Sequence, residues 1–197
     1  MLRRVLILIL AVILFINIVG GAVSYSIARS GPYLPGESLF EWQTRAEQLW
    51  LNRLVADGEP RASSLLDLLE RRIDNLVLLL GGDNQRLALA YLDAALNQAI
   101  GAIEAAPADA QPALKQRLLQ LTERTLALLD GLELAEDEAE TAVATLREKL
   151  TELQLALSNP EPTPIAEIAA IDTELETLID PEQTDEAEVS GMPISLD

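Results

Sequence analysis

Ala139–Leu157 reads AETAVATLREKLTELQLAL, and its apolar positions Ala139, Val143, Leu146, Leu150, Leu153 and Leu157 recur at alternating intervals of four and three. A strand would repeat every two residues, so this spacing predicts a helix, from about Ala135 to Leu157, with one narrow apolar face. Such a face must be covered by other helices, as in antiparallel bundles and coiled coils.

Reading upstream, the same kind of pattern recurs between short breaks. Leu114, Leu118, Leu121, Leu128 and Leu132 stand at near-heptad spacing after Ala106-Pro107-Ala108-Asp109. Before that break, Leu89, Leu92, Leu96, Ala99, Ile100 and Ile103 form a seam whose flanking alanines would let neighbouring helices come close. Gly81-Gly82-Asp83 separates it from a helix over about Arg61 to Leu80, whose stripe of Leu65, Leu66, Leu68, Leu69, Ile73, Leu76, Val77, Leu79 and Leu80 is wide enough to suggest the centre of the bundle. Asp57-Gly58-Glu59-Pro60 is a turn, with Pro60 suited to a first helical turn. The first soluble helix is expected over Ser38 to Val55. Ser38 would be its N-cap, with Glu41 three residues later completing a capping box, and Leu39, Trp42, Ala46, Leu49, Trp50 and Leu54 would be its buried side. On this pattern both tryptophans are core anchors.

The fold class is therefore all-α: an N-terminal transmembrane helix followed by an up-and-down antiparallel helical bundle of about five helices, or a pair of stacked hairpins. Asn159-Pro160-Glu161-Pro162-Thr163-Pro164 is a stiff linker, no Lys or Arg follows Lys149, and a weak amphipathic helix is expected at Ile165 to Ile179 before an acidic tail. The domain boundaries are 1–30 for the anchor, 31–158 for the bundle and 159–197 for linker and tail.

The anchor is the uncharged run from Val5 to Ile27, long enough as a helix to cross about 30 Å of hydrocarbon. Val5, Leu6, Ile7, Leu8, Ile9, Leu10, Val12, Ile13, Leu14 and Phe15 make its first half, and Ile16, Ile18, Val19, Val23 and Ile27 continue it. Arg3 and Arg4 precede the run while Arg29 alone follows closely, which predicts a single-pass protein of the cell membrane with its N-terminus cytoplasmic and the bulk of the chain extracytoplasmic. Ala22-Val23-Ser24 and Ser26-Ile27-Ala28 also carry the small residues of a signal-peptidase site, and cleavage there would export the domain as well. Tyr33 and Trp42 are placed to reach the headgroup layer.

Composition narrows the chemistry. Neither Cys nor His occurs, which removes disulfides, thiolate and imidazole ligands, and catalysis that needs either group. A net charge of −18 argues against nucleic acid and against electrostatic attachment to anionic lipid. The densest acidic group, Glu133, Glu136, Asp137, Glu138 and Glu140, lacks the alternating ligands and central Gly of an EF-hand, and acids at a helix start answer the helix dipole. Lys115 and Lys149 are the only lysines, both at positions that read as helical surface, so a Ser–Lys pair is not expected. No catalytic residue, cofactor or metal site is nominated.

Tyr33-Leu34-Pro35-Gly36-Glu37-Ser38-Leu39-Phe40 resembles the opening motif, Pro-Gly-(Asp/Glu)-x-Leu-(Tyr/Phe), of an uncharacterised bacterial family of membrane-anchored helical domains. Pro35, Gly36, Glu37, Leu39 and Phe40 carry the likeness, and Gln43 stands where that family usually has Lys. The resemblance implies a span before the motif and Leu- and Ala-rich helices after it. Physically, Pro35 and Gly36 set the chain direction and Leu39 and Phe40 begin the core.

These features point to a structural or interaction protein rather than an enzyme. The expectation is an anchored extracytoplasmic module, an accessory subunit of a membrane or envelope complex with a protein partner, with self-association through the same seams left open. The alternative is a sensory or regulatory extracytoplasmic module, for which Met1 to Arg4 would leave little chain in the cytoplasm.

Overall fold

Pro60 and Pro112 each fall within the first two positions of a helix, where a missing N–H costs nothing, and Gly58 and Gly131 stand just outside helix ends. Between these marks the computed structural model, which describes residues 33–79, 84–131, 137–159 and 165–169, is helical. The long helices are α1 Ser38–Arg53, α2 Glu59–Leu78, α3 Gln85–Glu104, α4 Gln111–Asp130 and α5 Asp137–Ser158, with a single turn, α6, at Ala166–Ala169. Among the described residues there is no strand, and the all-α class with five long helices stands as expected.

Cross-helix contacts give the directions. Leu51 and Asn52 near the end of α1 meet Arg61 near the start of α2, while Glu47 meets Arg71 and Arg72 farther along, so these two helices run oppositely. Arg117 and Arg124 of α4 pair with Asp67 and Asp74 of α2 at 2.7 and 2.6 Å, so α2 and α4 run the same way. These exposed pairs fix register more than they add stability.

The core is apolar and leucine-rich. Leu66, Ile73 and Leu76 of α2, Leu89, Leu96, Ile100 and Ile103 of α3, Leu118 and Leu129 of α4, and Val143, Leu146, Leu150 and Leu153 of α5 are buried. The centre is α3, not α2 as the wide stripe suggested. Buried Ala88, Ala90, Ala95, Ala99 and Ala102 keep α3 slender, so α2, α4, α5 and α6 all reach it.

Several expectations are corrected in detail. The N-cap of α1 is Glu37 rather than Ser38, with no side-chain cap, and the helix ends at Arg53 rather than Val55. Its buried residues are Phe40, Gln43, Ala46, Glu47 and Leu51, whereas Leu39, Trp42, Leu49 and Leu54 are exposed and Trp50 is half-buried. On α4, Leu129 is fully buried and Leu128 only partly. Lys149, read as a surface residue, is completely buried.

The anchor Val5–Ile27, the Gly81-Gly82-Asp83 break, Leu80, Leu132, the Pro-rich linker 160–164 and residues 170–197 lie outside the described residues, so the weak helix expected over 165–179 is described only to Ala169. No described helix is long and apolar enough to cross a membrane.

Candidate functional site

The opening motif is a turn built by its own residues. Glu37 N–H donates to Leu34 O at 3.0 Å across Pro35 and Gly36, and Gly36 takes φ +94°, which is a type II turn with proline and glycine in their favoured places. The Glu37 carboxylate accepts from Leu34 N–H at 3.0 Å and closes the turn from the other side. A Cβ on Gly36 would come within 2.3 Å of the Asn84 side chain, so the turn rests directly on the residue that precedes α3. Pro35 and Phe40 are buried, while Gly36, Glu37 and Leu39 are exposed.

From this turn α1 starts with its inner side locked. Phe40 meets Tyr91 of α3 edge to face, with centroids 4.7 Å apart at 75°. The Arg72 guanidinium from α2 lies 4.9 Å from the Phe40 centroid and 5.8 Å from that of Tyr91. One Glu47 oxygen is in direct contact with Arg72, and the other accepts from Arg71 at 3.1 Å. Burial pushes the Glu47 carboxyl up from its ordinary value, and the arginines draw it part of the way back. Burial likewise raises the Tyr91 hydroxyl. These large side chains carry the contact of α1 with α2 and α3.

The outer side of α1 is apolar and uncovered. Leu39 is 51% exposed, Trp42 63% and Leu49 49%, with exposed Arg45 and Arg53 beside them. Large apolar side chains left in water on one helix face are the kind of surface that marks a contact site.

A second buried pair joins α3 to α5, where Lys149 Nζ donates to Asp93 Oδ1 at 2.8 Å. An open groove of about 400 Å³ runs between α1 and α3, lined by Gln48, Leu51, Arg61, Gln98 and Gly101 among others, and Arg61 is held there by Leu51 O and Asn52 Oδ1. Among the described residues, no group of three or more Asp, Glu, His or Cys could hold a metal ion. Of the acidic run, Glu133 and Glu136 lie outside the described residues, the side chains of Asp137 and Glu138 are likewise not described, and Glu140 is exposed.

Neither buried pair was found from the sequence, although a signal existed. Lys149 sits in the α5 seam between Leu146 and Leu150, and Asp93 in the α3 seam between Leu92 and Leu96, so each is a charge at a core position. Buried charges need partners, and opposite charges on two seams would have suggested the match.

Comparison of this chain with protein-family models, curated proteins and solved structures finds no match.

Proposed function

We propose that this chain is a membrane-tethered, extracytoplasmic helical module with a structural or docking role, an accessory component of a membrane or envelope complex rather than a catalyst. The carrying observation is the two-sidedness of α1: its inner side is clamped to α2 and α3, and its outer side presents Leu39, Trp42 and Leu49 to solvent. That face lies just after the uncharged run Val5–Ile27, which as a single span would hold it near the bilayer. The likeness of Pro35–Phe40 to the opening motif of a membrane-anchored family supports the same arrangement. The buried charges are consistent with it, because Glu47, Arg72, Asp93 and Lys149 tie helix to helix within the bundle.

The test is purification of a C-terminally tagged copy from its native membranes in mild detergent, with cross-linking and mass spectrometry of what accompanies it. A stoichiometric membrane complex supports the accessory role and names the partner. Recovery of the chain alone, with no cross-linked neighbour, overturns the stable-subunit role.

A further inference from the structure

We infer that the outer face of α1 seats on the lipid surface, with Leu39, Trp42 and Leu49 in the headgroup layer; this rests on the proposal above that Val5–Ile27 tethers the chain to the bilayer. Three observations bring the face and the membrane together.

The first is reach. Eleven residues, 28–38, carry the chain from Ile27 to the first residue of α1, a span of at most about 40 Å when fully extended. The turn at Leu34–Glu37 shortens that further. With its inner side fixed by Glu47–Arg72 and Phe40–Tyr91, α1 has only its outer side to offer a nearby surface.

The second is composition. At 100° per residue, Leu39, Trp42 and Leu49 fall within a sector of about 80°, which also holds exposed Arg53 and, at its edge toward the bundle, buried Ala46. Trp is the side chain that settles between water and hydrocarbon, with leucines reaching past it.

The third is charge. Glu47 is inside the bundle, which leaves Arg45 and Arg53 against Glu41 on the exposed part of α1, in a chain whose net charge is −18. The exposed part of α1 thus carries two bases against one acid, without the acidic excess of the chain as a whole. Contact comes from apolar insertion, so anionic lipid is not required.

The experiment uses the full chain with Trp50→Phe, which makes Trp42 the sole tryptophan, reconstituted into phosphatidylcholine vesicles with and without phosphatidylcholine brominated on its acyl chains. Interfacial burial predicts a blue-shifted emission, loss of about half the intensity to brominated lipid, and about threefold weaker quenching by acrylamide than for a surface reporter. That reporter is Leu155→Trp in a Trp42→Phe, Trp50→Phe chain, because Leu155 of α5 is 74% exposed. Vesicle flotation is scored separately. A chain that floats while Trp42 is as open to acrylamide as the Leu155→Trp reporter overturns the lipid seat and leaves the tether standing. Shielding of Trp42 from both quenchers also overturns it, in favour of a protein covering the face. Failure to float overturns the tether itself.

Discussion

Glu47 of α1 and Arg72 of α2 are in direct contact inside the bundle, at 2% and 4% side-chain exposure, with Arg71 on the second carboxylate oxygen. This pair and the Phe40–Tyr91 contact, with buried Leu51 and the Arg61 bonds at its far end, hold the helix in place. Glu47→Ala would leave Arg72 buried without its carboxylate, at a cost of about 3–5 kcal/mol. Combining Glu47→Leu with Arg72→Met should recover most of that loss, since an apolar pair needs no desolvation. Thermal unfolding by circular dichroism in mild detergent separates the cases, and an undiminished Glu47→Ala chain would show that the pair does not hold α1.

The same carboxyl makes a pH prediction with a definite sign. Burial raises Glu47 above its ordinary value of 4.5, against the opposing pull of Arg72 and Arg71. The folded chain then keeps this proton where the unfolded chain has lost it, so the Glu47 contribution to stability is full below the ordinary value and falls as pH rises through the raised one. Glu47→Gln removes the titration. Its stability deficit against the parent should be larger near pH 4 than near pH 7. A deficit that grows toward neutrality would mean that the arginines outweigh burial.

Lys149 and Asp93 tie α5 to α3, with Lys149 fully buried. Lys149→Met keeps the volume but takes the ammonium away from buried Asp93, and is expected to cost about 3–5 kcal/mol. Lys149→Met with Asp93→Leu should be markedly more stable than Lys149→Met alone. Equal stability of the single and double variants would show that Asp93 does not depend on Lys149.

Periodicity made the helices legible because each seam is written in leucine and alanine: Leu89 to Ile103 on α3 and Val143 to Leu153 on α5 are buried as spaced. It misplaced α1 for a physical reason. The stripe from Leu39 to Leu54 is a true apolar face, but hydrophobicity alone does not say which of two faces meets the bundle. The adjoining side, about a quarter turn around the helix, offers Phe40, Gln43, Glu47 and Leu51, a mixed set that looks like surface until Arg72 and Tyr91 arrive from other helices. Contacts between distant segments leave no mark in a local period. The opening motif was legible as a turn, whereas its seat on Asn84 was not.

Gly36 is constrained twice, by φ +94° and by the Asn84 side chain that a Cβ would strike at 2.3 Å. Gly36→Ala is therefore expected to destabilise by about 1–3 kcal/mol. Adding Asn84→Gly removes the collision but not the backbone strain, so the double variant should recover only part of the loss. Measured against Asn84→Gly alone, full recovery would assign the whole cost to the collision.

Phe40 and Trp42, two residues apart on α1, should respond in opposite ways to truncation. Phe40 is 1% exposed against Tyr91 and Arg72, so Phe40→Ala opens a cavity and strips the guanidinium of a ring, for about 3–5 kcal/mol. Trp42→Ala removes the larger side chain from solvent and should change bundle stability by no more than about 0.5 kcal/mol in detergent. Hydrogen exchange along α1 gives the local version of the contrast: faster exchange over Ser38–Arg53 in Phe40→Ala, parent-like exchange in Trp42→Ala. Were the apolar stripe the packed side, the order would invert, because the tryptophan would be the larger loss. Parent-like stability for Phe40→Ala together with a large loss for Trp42→Ala would therefore place α1 the other way round, with Glu47 facing water and Arg72 of α2 left without it.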